Sequence, residues 1–165
     1  MSYMPYKVDY SGRQVDVEML QSVSKPADLV AVSLTSVQKT AKIVTGIEKL
    51  VQRYALLFLS SIGTVHFVQE QGTYILSNLL AGGVQSRGVL QGLFAVNNVN
   101  VLDQLRKDDD RSDIYGDTQP DEVIASADLL DCNVDAASGI VYMQVQITSQ
   151  AGDAVTFIIP VTAAR

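Results

Sequence analysis

The sequence predicts an α+β fold: N-terminal β-strands, then central helices packed on a C-terminal antiparallel β-hairpin or sheet. Three observations predict it. Apolar residues recur at helical spacing in Ile47, Leu50, Val51, Tyr54, Leu57 and Phe58, and again in Leu90, Leu93, Phe94, Val101, Leu102 and Leu105. They alternate with other residues in Val141, Met143, Val145 and Ile147, and in Val155, Phe157, Ile159 and Val161. A shorter alternation, Val15, Val17 and Met19, lies near the start of the chain.

In chain order, residues 1–27 read as an N-terminal arm with one strand, and residues 28–165 as an α+β domain. The arm carries Tyr3, Tyr6 and Tyr10 beside Pro5 and Gly12, then a half-buried strand at residues 13–20. Residues 29–34 and 39–44 read as two strands of a hairpin, turned by Thr35-Ser36-Val37-Gln38. Thr45 followed by Glu48 has the spacing of a capping box, in which the threonine oxygen takes an orphan amide proton and the glutamate reaches back. The helix it opens places Glu48, Lys49, Gln52 and Arg53 opposite the apolar face, and Gly63 lies past its last turn as a helix terminator.

Residues 74–80 form a short apolar helix ended by Gly82-Gly83. Residues 87–107 have helical spacing, but Gly88, Gly92, Asn97 and Asn98 weaken it, which predicts a bend or two shorter helices. The polar stretch at about 107–122 reads as a surface loop or insertion with solvated aspartates. Residues 123–134 form an apolar strand, and turns at Ser138-Gly139 and Ala151-Gly152-Asp153 separate it from the alternating pair. Pro160 puts the last strand near an edge or sheet end.

A chain of 165 residues suits one domain, with length for a terminal extension, and buries a core without metal or disulfide. Apolar residues are 47% and charged ones 18%, fitting either a well-packed monomer or a subunit whose apolar surface is covered by partners. The net charge of −6 and the lack of a basic stripe argue against nucleic-acid binding. No apolar run reaches membrane-spanning length, and residues 1–14 lack the apolar centre of a signal peptide, so the expectation is a protein made in a reducing cytoplasm with no membrane partner.

The chemistry-bearing residues are few. His66 is the one histidine, and it lies with Glu70 between Gly63-Thr64 and Gly72-Thr73. An acid–base pair there would suit a hydrolase, and two carboxylates would suit a glycosidase. His66 has no partner visible in the sequence and reads as a structural or surface residue. Phe67 can plug apolar space under the loop, Gly72 permits a tight turn, and Thr73 can cap the helix that follows. Cys132 is a single thiol beside Asp131, which raises its pKa and argues against a nucleophile. Gly82, Gly83 and Gly88 are not followed by the Lys-Ser/Thr of a phosphate loop, and no metal cluster or cofactor motif is present. The expectation is a protein that is not an enzyme.

In order, the hairpin ending in AKIVTGIEKLVQRY, its helix, SSIGTVHFVQEQGTYILSNLL, a helical region and DLLDCNVDAASGIVYMQVQI resemble the baseplate wedge, or sheath-initiator, family of contractile phage tails, which has relatives in type VI secretion and phage-like particles. The family's Gly-Ile/Leu-Glu falls on Gly46, Ile47 and Glu48; its glycine, aromatic and second glycine on Gly63, Phe67 and Gly72; its leucine helix on Leu76 and Leu80. The resemblance covers about residues 29–161. The chain departs from the family at Val68-Gln69-Glu70-Gln71, where a Pro-Glu-Tyr/Phe precedes the second glycine, and at Gln119-Pro120-Asp121, where Pro120 matches but the arginine of Glu-Pro-Arg is missing.

The resemblance implies structural work in the virion: a component of the tail baseplate, assembled in the host cytoplasm around the central tube as a sixfold ring. Its partners would be the tail sheath protein, other wedge proteins and the tube or hub. The implied mechanism is strand addition at an open sheet edge, which needs main-chain groups rather than particular side chains. The expected edge is the alternating hairpin, with Ile140, Tyr142, Gln144, Thr156 and Ile158 as partner-binding residues, and Tyr3, Tyr6 and Tyr10 as anchors for partner grooves. The alternatives are a non-catalytic interaction domain of another assembly and a cell-wall glycoside hydrolase.

Overall fold

A computed structural model describes residues 16–17, 29–31, 43–64, 70–113, 118–135 and 140–162. The protein is α+β: helices lie along one face of a four-stranded sheet. The elements are β1 (Asp16–Val17), β2 (Leu29–Ala31), β3 (Ile43–Val44), α1 (Gly46–Leu59), α2 (Ile75–Leu80), α3 (Arg87–Asp113), β4 (Ile124–Asp135), β5 (Ile140–Ser149) and β6 (Ala154–Thr162). The sheet order is β2-β6-β5-β4, antiparallel except for β2, which runs parallel to β6.

The described parts of the expected hairpin of residues 29–44 do not pair with each other. β2 pairs with β6, whereas β3 pairs with β1, so these two strands belong to different sheets; residues 32–42 lie outside the described residues. Both are short apolar runs, and such runs carry no mark of which strand they will join.

The core follows from periodicity. On α1, Leu50, Val51, Tyr54, Ala55 and Phe58 are buried. On α3 the buried positions are Leu90, Phe94, Asn97, Val101, Leu105 and Asp109, steps of three or four throughout. They meet Val141, Met143, Val145 and Ile147 of β5 and Phe157 and Ile159 of β6. Tyr54 stacks near-parallel on Phe58 at 5.6 Å and meets Phe157 edge-on at 6.0 Å, packing that adds to area burial.

β4 shows two register shifts against β5, at Ile124/Ser126 and Leu129/Asp131. Each leaves an extra residue, Ala125 and Leu130, and reverses the inward parity. The residues facing the helices are therefore Ile124, Ala127, Leu129, Cys132 and Val134, a set no simple alternation would select.

The threonine half of the expected capping box at α1 is not made. Thr45 precedes the helix in extended conformation and its side chain makes no capping bond. Instead Glu122, remote in sequence, accepts the Gly46 amide proton on Oε1 (3.2 Å) and pairs with Lys49 Nζ through Oε2 (3.0 Å). A carboxylate at a helix N-terminus is favoured by the helix dipole. Lys49 and Gln52, expected on a solvated face, are buried as a result; Gln52 donates to Asp16 of β1 (2.9 Å).

α3 is continuous over 27 residues, with no break at its glycines or asparagines. Its last turns take in residues 107–113, so the expected polar loop begins later, and Asp109 and Glu122 within that stretch are buried rather than solvated. Gly88 and Gly92 are exposed, and a Cβ at either would meet nothing within 4 Å.

Candidate functional site

The segment between α1 and α2 is held closed at its base. Thr73 N–H donates to the Ser60 carbonyl (2.8 Å) and Ile62 N–H to the Thr73 carbonyl (3.2 Å). The Thr73 hydroxyl donates to the Phe58 carbonyl at the end of α1 (2.6 Å) and accepts from Ile75 N–H at the start of α2 (3.3 Å). One hydroxyl thus joins the end of one helix to the start of the next, although the N-cap position of α2 is held by Tyr74 rather than by the expected Thr73.

Gly72 is required there twice over. Its φ is +111°, and a Cβ would lie 2.6 Å from the Ser60 carbonyl oxygen. Gln104 of α3 braces the same point: Oε1 accepts the Gly72 amide proton (3.0 Å) and Nε2 donates to the Gly72 carbonyl (3.2 Å). Gly63 does not terminate α1, which ends at Leu59. It is the third residue of a turn closed by Thr64 N–H to the Ser61 carbonyl (3.2 Å), with φ +84°. His66 and Phe67 lie outside the described residues; Glu70 is exposed. The Gly82-Gly83 pair ends α2 as expected: Gly83 N–H donates to Asn78 (3.0 Å), Gly82 N–H to Leu79 (3.2 Å), and Gly82 has φ +69°.

Ile140, Tyr142, Gln144, Thr156 and Ile158 are brought together. Gln144 faces Ile158 across the β5–β6 pair, and Tyr142 lies beside Gln144 on the same sheet face, turned away from the helices. They do not make an edge. β5 is bonded to β4 on one side and β6 on the other, and β2 covers β6 at Thr156–Ile158. An alternating strand with one apolar face can sit anywhere in an antiparallel sheet, so patterning does not locate the edge.

Among the described residues the sheet ends at β4 and at β2. The β4 edge is interrupted by the bulged Ala125 and Leu130 and bears exposed Asp128, Asp131 and Asp135. Asn98 Nδ2 also donates to the Ala127 carbonyl (2.8 Å). Bulges and inward or flanking charges are what discourage strand addition. The β2 edge is a three-residue strand held on Leu29↔Thr156, Val30↔Phe157 and Ala31↔Ile158. Tyr3, Tyr6 and Tyr10 lie outside the described residues.

Cys132 is buried in the core, and its thiol is pushed up first by burial and only then by Asp131, with Arg87 opposing. Arg87 also pairs with Asp131 at the surface (2.8 Å). Pro120 lies in the turn before β4; its carbonyl accepts from Ala151 N–H (3.1 Å), tying that turn to the β5–β6 connection.

A feature the sequence did not announce is the far end of α3. Asp109 extends the buried stripe by one more turn beyond Leu105, pairing with Arg53 of α1 through Oδ1 (2.8 Å). With Asp110, Thr118, Pro120, Val123 and Gln150 it lines a cavity of about 250 Å³. Burial raises the Asp109 pKa; the Arg53 hydrogen bond and charge oppose that rise, while Asp108 and Asp110 add to it. Among the described residues no three of His, Cys, Asp and Glu stand together as metal ligands, and no helix is long and apolar enough to cross a membrane.

No family model, no curated protein and no solved structure matches the chain.

Proposed function

We propose that this protein is a structural component of a contractile-tail baseplate, of the wedge or sheath-initiator kind, which binds neighbouring subunits by strand addition and starts the sheath. The observation that carries the reading is the asymmetry of the sheet: the β4 edge is bulged and acidic, whereas the β6 side is covered by three residues of β2. A partner strand would add beside β2 or take its place on Thr156–Ile158, so the mechanism rests on this side rather than on β5. Three positions of the resemblance, Gly46, Gly63 and Gly72, have positive φ, which suits a motif fixed by backbone geometry rather than catalysis. The outward face with Tyr142, Gln144, Thr156 and Ile158 would flank the added strand.

Electron microscopy tests the assignment. Antibody against the chain, applied to tails purified from the cells that produce it, should label the baseplate end. Intact tails without the protein, or label spread along the sheath, would overturn it. A proline at Val30 should leave the α1–α3–β5 core folded by circular dichroism yet delay or abolish sheath growth. Sheaths of normal length on that variant would reject strand addition while leaving the baseplate assignment.

A further inference from the structure

We propose that the cavity at the end of α3 is a socket for the cationic side chain, lysine or arginine, of a partner protein. The Asp109 side chain is only 8% exposed, yet among the described residues its Oδ2 has no hydrogen-bond partner, and neither has Thr118 Oγ1; both residues line the cavity. A buried carboxylate oxygen left without a donor is costly, and the missing partner is by nature a donor. Asp110 adds a second negative charge to the lining. Arg53 is the cation already acting on Asp109, and its bond is to the other oxygen.

The shape selects among donors. Asp109, Asp110, Thr118 and Gln150 offer polar groups, whereas Pro120 and Val123 offer an apolar wall. A methylene stem with a charged head matches both, since such side chains lay their stems on apolar surface. A bare metal ion would want more oxygen ligands than two carboxylates supply, and no cluster of three metal-ligating side chains is found among the described residues. The inference rests on the assembly reading for its partner being a protein subunit; the socket itself does not depend on which assembly.

The test uses n-butylammonium and methylguanidinium as probes on the whole chain, followed by amide NMR at Asp109, Val123 and Gln150. Tetramethylammonium, which has no donor, serves as the charge control at equal ionic strength, and magnesium and calcium chloride as the metal arm. Saturable shifts with the first two probes alone, weakened roughly tenfold or more in Asp109→Asn and a few-fold in Thr118→Val, are the expected result. Thr118→Val keeps the Arg53–Asp109 pair, so it decides the matter if Asp109→Asn does not fold. Equal shifts with tetramethylammonium, none at these amides, or tighter saturation by either metal would overturn the proposal. Probe binding without baseplate location would leave the socket standing and remove the assembly reading; baseplate location without probe binding would do the reverse.

Discussion

The phenolic hydroxyl of Tyr54 donates to Oδ1 of Asn98 over 2.7 Å, and Nδ2 of that amide donates to the Ala127 carbonyl over 2.8 Å. One asparagine therefore joins α1, α3 and β4, with both of its polar ends used. Burial, and secondly Asp128, pushes the Tyr54 phenol above its ordinary range, which favours its protonated, donating form. Tyr54→Phe keeps the ring packing but deprives Asn98 of its donor. It should cost about 1–3 kcal/mol by urea denaturation. In a double-mutant cycle with Asn98→Ala the two losses should not add; additive losses would mean the bond contributes nothing of its own.

Gly72 and Gly63 make a matched pair. Both have positive φ, but only Gly72 lacks room for a Cβ. Gly63→Ala should cost about 1 kcal/mol, the left-handed penalty alone. Gly72→Ala adds a backbone collision with Ser60 and should cost clearly more, enough to lower the thermal midpoint by several degrees beyond Gly63→Ala. Equal midpoints would show that the Ser60–Thr73 contact relaxes freely.

Lys49 and Glu122 are 3.0 Å apart with side chains 7% and 2% exposed. Removing one partner strands a buried charge, so Lys49→Met should destabilise by about 3–5 kcal/mol. Lys49→Met with Glu122→Gln should recover part of this, because the amide oxygen can still accept the Gly46 proton. A double variant no better than the single would locate the cost in lost packing instead.

Asp109 gives a pH signature. Its carboxyl has a raised pKa in the folded state, so the folded protein holds this proton more tightly than the unfolded chain does. The stabilisation is present at acid pH. It is lost as pH climbs from the ordinary value of 3.8 through the raised one, and is level above it. Asp109→Asn should flatten that part of the stability–pH curve. Parallel curves for the two proteins would refute it.

Gly92 lies inside α3 with open space around it. Gly92→Ala should therefore stabilise the protein by about 0.5–1 kcal/mol in urea denaturation. An unchanged or lowered midpoint would refute it.

The helices and the β5–β6 pair were legible because their burial is periodic: Leu50–Phe58, Leu90–Leu105 and Val141–Ile147 all fall where spacing puts them. β4 was legible as a strand but not in its facing, since Ala125 and Leu130 each reverse the parity. The continuity of α3 is not legible, because helix propensity scores its glycines and asparagines in isolation and so predicts a bend or two shorter helices. Asn97 instead bonds Tyr74 N–H (2.9 Å) and the Leu93 carbonyl (2.7 Å), as tertiary partners override propensity. The Asp109 cavity had one available signal, the four-residue step from Leu105, but an aspartate run reads as solvent-facing until Arg53 is known to lie opposite. Glu122 left no such signal, since its partners are on α1.

β2 carries a consequence for the order of events in synthesis. Residue 29 pairs with residue 156, so the first strand of the four-stranded sheet waits for β6, the latest of its described strands. Closing a loop of that length is entropically slow, and non-local parallel pairing is the slowest kind to form. Until β6 has left the ribosome, Leu29–Ala31 has no place in the sheet. Were docking of β2 delayed, Thr156–Ile158 of one chain would offer the same three positions to the Leu29–Ala31 of a second copy.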